Sequence, residues 1–88
     1  MNVSVEISLY PLTADYKPTI IAFIHALRAQ PGIEVATNNL STQLTGEYDT
    51  VMAALTEAMR PTMAGEASCS FVCKILNVGL APGKEVEI

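Results

Sequence analysis

The stretch from Asn38 to Asp49, Asn-Asn-Leu-Ser-Thr-Gln-Leu-Thr-Gly-Glu-Tyr-Asp, leaves this chain few folds to choose from. Paired asparagines tolerate the positive φ that a tight hairpin requires, so Asn38 and Asn39 predict a turn. From Leu40 the residues alternate: Leu40, Thr42 and Leu44 fall on one side, Ser41, Gln43 and Thr45 on the other. That two-residue period predicts a strand with one buried face. Gly46 breaks the period. Glu47 and Asp49 then place negative charge where a helix would begin, beside its positive dipole end. The outer face of the strand is unusual, because it offers a hydroxyl, an amide and a second hydroxyl where solvated strands more often carry Lys, Glu or Arg.

The rest of the chain arranges itself around this stretch. Asn2 to Tyr10 alternates, with Val3, Val5, Ile7 and Leu9 on one side and Ser4, Glu6, Ser8 and Tyr10 on the other. Pro11, which has no N–H to give a ladder, ends this first strand. Thr13 to Asp15 supply N-cap candidates and Pro18 suits a first helical turn. Ile20, Phe23, Ile24 and Leu27 recur at helical spacing until Gln30-Pro31-Gly32 stops the helix. Ile33, Val35 and Thr37 alternate in a second strand that enters the asparagine turn. After the central strand, Val51, Met52, Leu55, Ala58 and Met59 stripe a second helix from Asp49 to Met63, whose last turn Pro61 is expected to fray or stop at Arg60. Ala67 to Val78 reads as the last strand, with Cys69, Phe71, Cys73 and Ile75 toward the core. The tail from Gly79 is expected to be loosely attached.

Strand, helix, strand, strand, helix, strand predicts an α+β fold, the ferredoxin-like βαββαβ sandwich, as one domain over residues 1–88. Two helices would cover one face of a four-stranded antiparallel sheet, with the first and third strands in the middle. The other face would be open, polar but sparsely charged. Such a face suits a ligand, a second copy of the chain, or both.

Composition narrows the function. Half of the 88 residues are apolar and 16% are charged, which is the composition of a folded chain and leaves little polar cover; a homodimer or homotetramer is therefore expected. A net charge of −4 with few lysines argues against nucleic acid and anionic membrane, both of which need clustered cations. The chain opens without a charged region followed by an apolar run, and its longest apolar run, Thr19 to Leu27, is too short to span a bilayer. The expected location is the cytoplasm. Cys69 and Cys73 share a strand face about 13 Å apart, beyond one disulfide or one metal ion, and are expected to be reduced structural thiols. The single histidine, His25, has no acidic neighbour at helical spacing. No Gly-rich phosphate loop and no zinc spacing occur. The expectation is a non-catalytic protein without a metal or cofactor.

Binding finds more support. Glu6 lies among Ser4, Ser8 and the row of Ser41, Gln43 and Thr45; its carboxylate could pair with an amino-bearing ligand while hydroxyls and amide orient a heteroaromatic ring. Tyr10 could stack on such a ring. Interface hydrogen bonding or plain hydration would use the same residues.

Ile7-Ser8-Leu9-Tyr10-Pro11-Leu12, then Asp15-Tyr16, then Leu40-Ser41-Thr42-Gln43-Leu44-Thr45-Gly46-Glu47-Tyr48-Asp49, resembles the YkoF-like thiamine/hydroxymethylpyrimidine-binding proteins. The similarity runs from about Val3 to Val78 and is most specific in the Ser-Leu-Tyr-Pro strand and the Ser-Thr-x-Leu-x-Gly strand. The resemblance implies a ferredoxin-like, ACT-type domain that binds thiamine or its hydroxymethylpyrimidine precursor and performs no chemistry. Some relatives hold two such domains in one chain, so a one-domain chain implies assembly from separate subunits. Matched to the family, the binding positions are Ser8, Tyr10, Asn38, Asn39, Ser41, Thr42 and Gln43, joined by Glu6 from the pattern. Alternation puts Thr42 on the helix side and Glu6 on the open side. A ligand between sheet and helices would favour Thr42, and one on the open face Glu6. The alternative function is an ACT-like regulatory or oligomerisation module for another small metabolite.

Overall fold

A computed structural model describes all 88 residues and builds them into six elements. These are β1 (Asn2–Pro11), α1 (Lys17–Arg28), β2 (Glu34–Thr37), β3 (Thr42–Glu47), α2 (Tyr48–Met63) and β4 (Cys69–Leu76). The sheet order is β2-β3-β1-β4, every pair antiparallel. This is the ferredoxin-like βαββαβ sandwich that the alternating periods predict, with β1 and β3 central.

The two-residue period of β1 sets the core. Val3, Val5 and Ile7 are buried on the helix side with Leu44 from β3. Phe23 and Leu27 of α1 and Val51, Leu55 and Ala58 of α2 close over them. Each fully buried aliphatic side chain contributes about 1.5–3 kcal/mol, so this one cluster supplies most of the driving force. Phe23 also meets Phe71 of β4 edge to face, ring centres 5.0 Å apart.

Local chemistry departs from expectation at several places. The Asn38-Asn39 turn uses no positive φ; the one glycine in that region of torsion space before the tail is Gly32. Instead Asn38 Oδ1 accepts from Leu40 N at 2.9 Å and Ser41 N at 3.1 Å, while Asn38 N donates to Ser41 O. A side-chain oxygen standing in for a backbone carbonyl widens the turn. β3 therefore starts at Thr42, and Leu40, expected on its buried side, sits 85% exposed at the hairpin tip. Helix α1 is not capped by Thr13, Ala14 or Asp15; its N-cap is Tyr16, without a side-chain bond, and Pro18 in the first turn has no N–H to orphan. Helix α2 passes Pro61 and reaches Met63, because the last turn closes beyond the proline through Ala64 N to Arg60 O at 3.0 Å.

The largest departures concern β4 and the tail. Cys73 and Ile75 point to the helix side as predicted but are exposed there, since the helices lie over β1 and β3 and leave the far end of β4 uncovered. The tail is not loose. Ser4 Oγ donates to Val78 O at 2.6 Å and accepts from Leu80 N at 2.7 Å, and Gln43 Oε1 accepts from Gly83 N at 2.8 Å. Residues 78–83 thus form a strap across the open face, from the end of β4 over β1 and β3. At its end Gly83 takes φ +70°, and a Cβ there would come within 2.9 Å of Ala36 Cβ on β2.

Candidate functional site

Where β1 leaves the sheet at Pro11, the β2–β3 hairpin and the first half of α1 do not close on one another. The gap is a cleft of about 410 Å³ between sheet and helix, within the range of small-molecule sites. Its apolar wall comes from Ile7, Leu9, Ile20, Phe23 and Ile24, and Tyr10 and Tyr16 stand at its mouth. Its polar end is the hairpin, with Thr37, Asn38, Asn39, Ser41 and Thr42, joined by Ser8 from β1. No charged side chain lines it.

Six of the eight residues singled out in the sequence meet at this cleft: Ser8, Tyr10, Asn38, Asn39, Ser41 and Thr42. They reach it for different physical reasons. Asn38 is held by its own turn. Thr42 is 5% exposed, and its hydroxyl lies 2.8 Å from that of Thr37 across the hairpin. Asn39, at the exposed tip, carries an amide outside the network that holds Asn38, Thr37 and Thr42.

Glu6 and Gln43 are elsewhere. Both face the open side of the sheet and line a smaller cavity of about 150 Å³ under the strap. Glu6 is engaged at both oxygens: Oε1 lies 3.5 Å from Lys74 Nζ, and Oε2 accepts from Ser41 Oγ at 3.0 Å. Gln43 is held by the strap. Ser41 touches both regions, with its hydroxyl turned to Glu6.

Sequence reasoning missed Tyr16, Ile20, Phe23, Ile24 and Leu40 as cleft residues. Ile20 and Ile24 belong to the apolar stripe of α1 and were assigned to the core, yet both are only half-buried, because they overhang the cleft. Leu40 was the one available clue. A large apolar residue between two asparagines and a serine is out of place at a turn unless something packs on it.

The model of the YKOF-related family matches residues 2–83. A hypothetical protein of Methanocaldococcus jannascii has a similar structure, with a TM-score of 0.76, 25% identity, and coverage of 99% of this chain and 88% of that one. A Streptococcus pneumoniae protein gives a TM-score of 0.77 at 28% identity, over 91% of this chain and 89% of its own. A candidate thiamine biosynthesis/salvage protein of Thermotoga maritima gives 0.64 at 18% identity, over 92% and 90%; that likeness is one of fold. None of the curated proteins matches the chain in sequence.

Proposed function

The chain belongs to the YKOF-related family, and from that premise we propose that it is a non-catalytic binding protein for thiamine or its hydroxymethylpyrimidine precursor. The observation that carries the reading is the cleft itself. It is large enough for a substituted pyrimidine, apolar along one wall, uncharged, and supplied at one end with amides and hydroxyls. A neutral aminopyrimidine needs such a place: a flat slot for the ring and a few directed donors and acceptors to orient it. Ile20, Phe23 and Ile24 would receive the ring, Asn38 and Asn39 its edge, and Tyr10 and Tyr16 would close the mouth.

The absence of charge from the lining bears on which half of thiamine would enter. A thiazolium cation would find no counter-charge inside, because the carboxylate of Glu6 lies on the other face beside Lys74. The pyrimidine would therefore enter and the thiazolium remain at the mouth, in water. A free amino acid, the usual ligand of ACT-like regulatory modules, would need partners for its carboxylate and ammonium; this cleft has none, which favours the pyrimidine reading.

Calorimetric titration with thiamine and then hydroxymethylpyrimidine tests the proposal. Saturable binding near one ligand per chain is expected for both. Asn39→Ala should weaken it about tenfold, the worth of one well-placed hydrogen bond, whereas Glu6→Gln should leave it unchanged. No heat above dilution for either ligand would refute the reading. Loss with Glu6→Gln but not with Asn39→Ala would move the site to the open face.

A further inference from the structure

Tyr16 holds a position that its backbone fixes and its side chain does not explain. It is the N-cap of α1, and its carbonyl accepts from Ile20 N at 3.3 Å, so its Cα is tied to the helix. Its side chain makes no capping bond. The protein's one aromatic pair joins Phe23 to Phe71, which leaves the Tyr16 ring without an aromatic partner. A large ring is thus held 48% exposed at the mouth of the cleft.

The hairpin side of the mouth has a counterpart. Leu40 also lines the cleft and is exposed, lifted there by the turn in which Asn38 Oδ1 accepts from Leu40 N. The two side chains come from different elements, the start of α1 and the tip of the β2–β3 hairpin. Both keep apolar surface in water, where a ligand standing at the mouth would cover it.

Charge around this mouth is close to balanced. Asp15 and Lys17 flank Tyr16 in the chain, and α1 has no acidic residue in its first turn. No cluster of either sign is present to select what stands at the lip. The aromatic face can select it, because a tyrosine ring is negative on its face and attracts a cation within about 6 Å of its centre.

We propose that Tyr16 is the residue by which the cleft recognises charge. Its ring face receives the thiazolium cation of thiamine and Leu40 packs along the edge of that cation, so the cleft prefers an aromatic cation to a neutral ligand of the same shape. The inference rests on the pyrimidine reading of the cleft and adds which ligand wins. With the pyrimidine inside, the methylene bridge of thiamine leaves the second ring between the helix start and the hairpin tip. One face of the cation meets Tyr16 and the other keeps its water, so no charge is buried without a partner. Hydroxymethylpyrimidine carries a hydroxyl in place of that ring and forgoes both contacts.

Calorimetric titration of the full chain with thiamine and with deazathiamine tests the proposal. In the second ligand carbon replaces the thiazolium nitrogen, giving a neutral thiophene of the same shape. The wild type should bind thiamine about fivefold more tightly, the worth of a cation–π contact that stays partly in water. Tyr16→Leu should bring the ratio to about one, and Tyr16→Phe, which keeps the ring, should hold it at about fivefold. Neither substitution alters the net charge of −4, so a general attraction of cations to an acidic protein would survive both. Leu40→Ser should weaken the two ligands by the same factor, about threefold, and leave their ratio as in the wild type. Equal affinities of the wild type for the two ligands would overturn the inference, whether or not any variant folds, and leave the pyrimidine reading standing. A wild-type ratio preserved in folded Tyr16→Leu would overturn it too. Absence of binding by either ligand would remove the pyrimidine reading and this inference with it.

Discussion

The hydroxyls of Thr37 and Thr42 lie 2.8 Å apart at the root of the β2–β3 hairpin, and Thr37 Oγ1 also reaches Ser41 O at 3.4 Å. Thr37 can thus donate to the backbone while it accepts from Thr42. The pair is a structural clip first, whatever it later offers a ligand. Thr42→Val removes the clip but leaves Thr37 its donated bond to Ser41 O, so stability should fall by about 1 kcal/mol, read from the midpoint of urea denaturation. A ligand that depends on the hydroxyl directly would in addition lose affinity, which separates the two roles. At this scale the sequence was partly legible. Alternation placed Thr42 and Leu44 on the inner side correctly. It failed at Leu40, because periodicity is blind to an asparagine side chain that captures two backbone N–H groups and ends the strand early.

Helix α2 and helix α1 show the same contrast between elements. Glu47 is extended, φ −69° and ψ 143°, and its Oε2 accepts from Asp49 N at 3.0 Å and Thr50 N at 3.2 Å. The negative charge read in the sequence as dipole compensation is in fact the cap. Glu47→Ala should cost about 1 kcal/mol, a fall in Tm of about 4–8 °C for a domain of this size, read by circular dichroism. α1 begins without a side-chain cap although Thr13 and Asp15 precede it: residues 12–14 form a bend and the N-cap position falls to Tyr16. β4 adds a different lesson. Its pattern says correctly which residues share a face, but whether a helix lies over that face depends on where the crossovers place α1 and α2. Two helices span the central strands, and Cys73 and Ile75 are left in the open. The cleft escaped for the same reason: it is a shortfall in packing between elements that are each well predicted.

The whole molecule is a slab, 38 × 30 × 19 Å, one sheet and one helix layer thick. Its radius of gyration of 13.0 Å exceeds the roughly 12 Å of a compact chain this long, as flatness requires. Such a shape has one core layer, and all ten residues of the main cluster lie between Val3 and Ala58. The strap contributes none of them. Removing residues 79–88 should therefore leave a folded protein that has lost two hydrogen bonds, Leu80 to Ser4 and Gly83 to Gln43, worth about 2 kcal/mol together. Urea denaturation with an unchanged cooperative transition and a lower midpoint is the expected result; a chain without native circular dichroism would contradict it. The family membership legible in the Ser-Leu-Tyr-Pro and Ser-Thr-x-Leu-x-Gly strands carried no sign of this strap, since its partners, one serine and one glutamine, are ordinary residues of an outer sheet face.

The strap also sets a sequence in time. Its clasp joins residues 74 and 76 positions apart, Ser4 with Val78 and with Leu80, across almost the whole length of the chain. Closing so long a loop loses entropy that two hydrogen bonds cannot offset alone, so the clasp forms only after β4 has paired with β1 and brought its ends together. Last to arrive, it is also first to leave. In any thermal opening of the native protein, the outer face of the sheet is uncovered well before the core is disturbed.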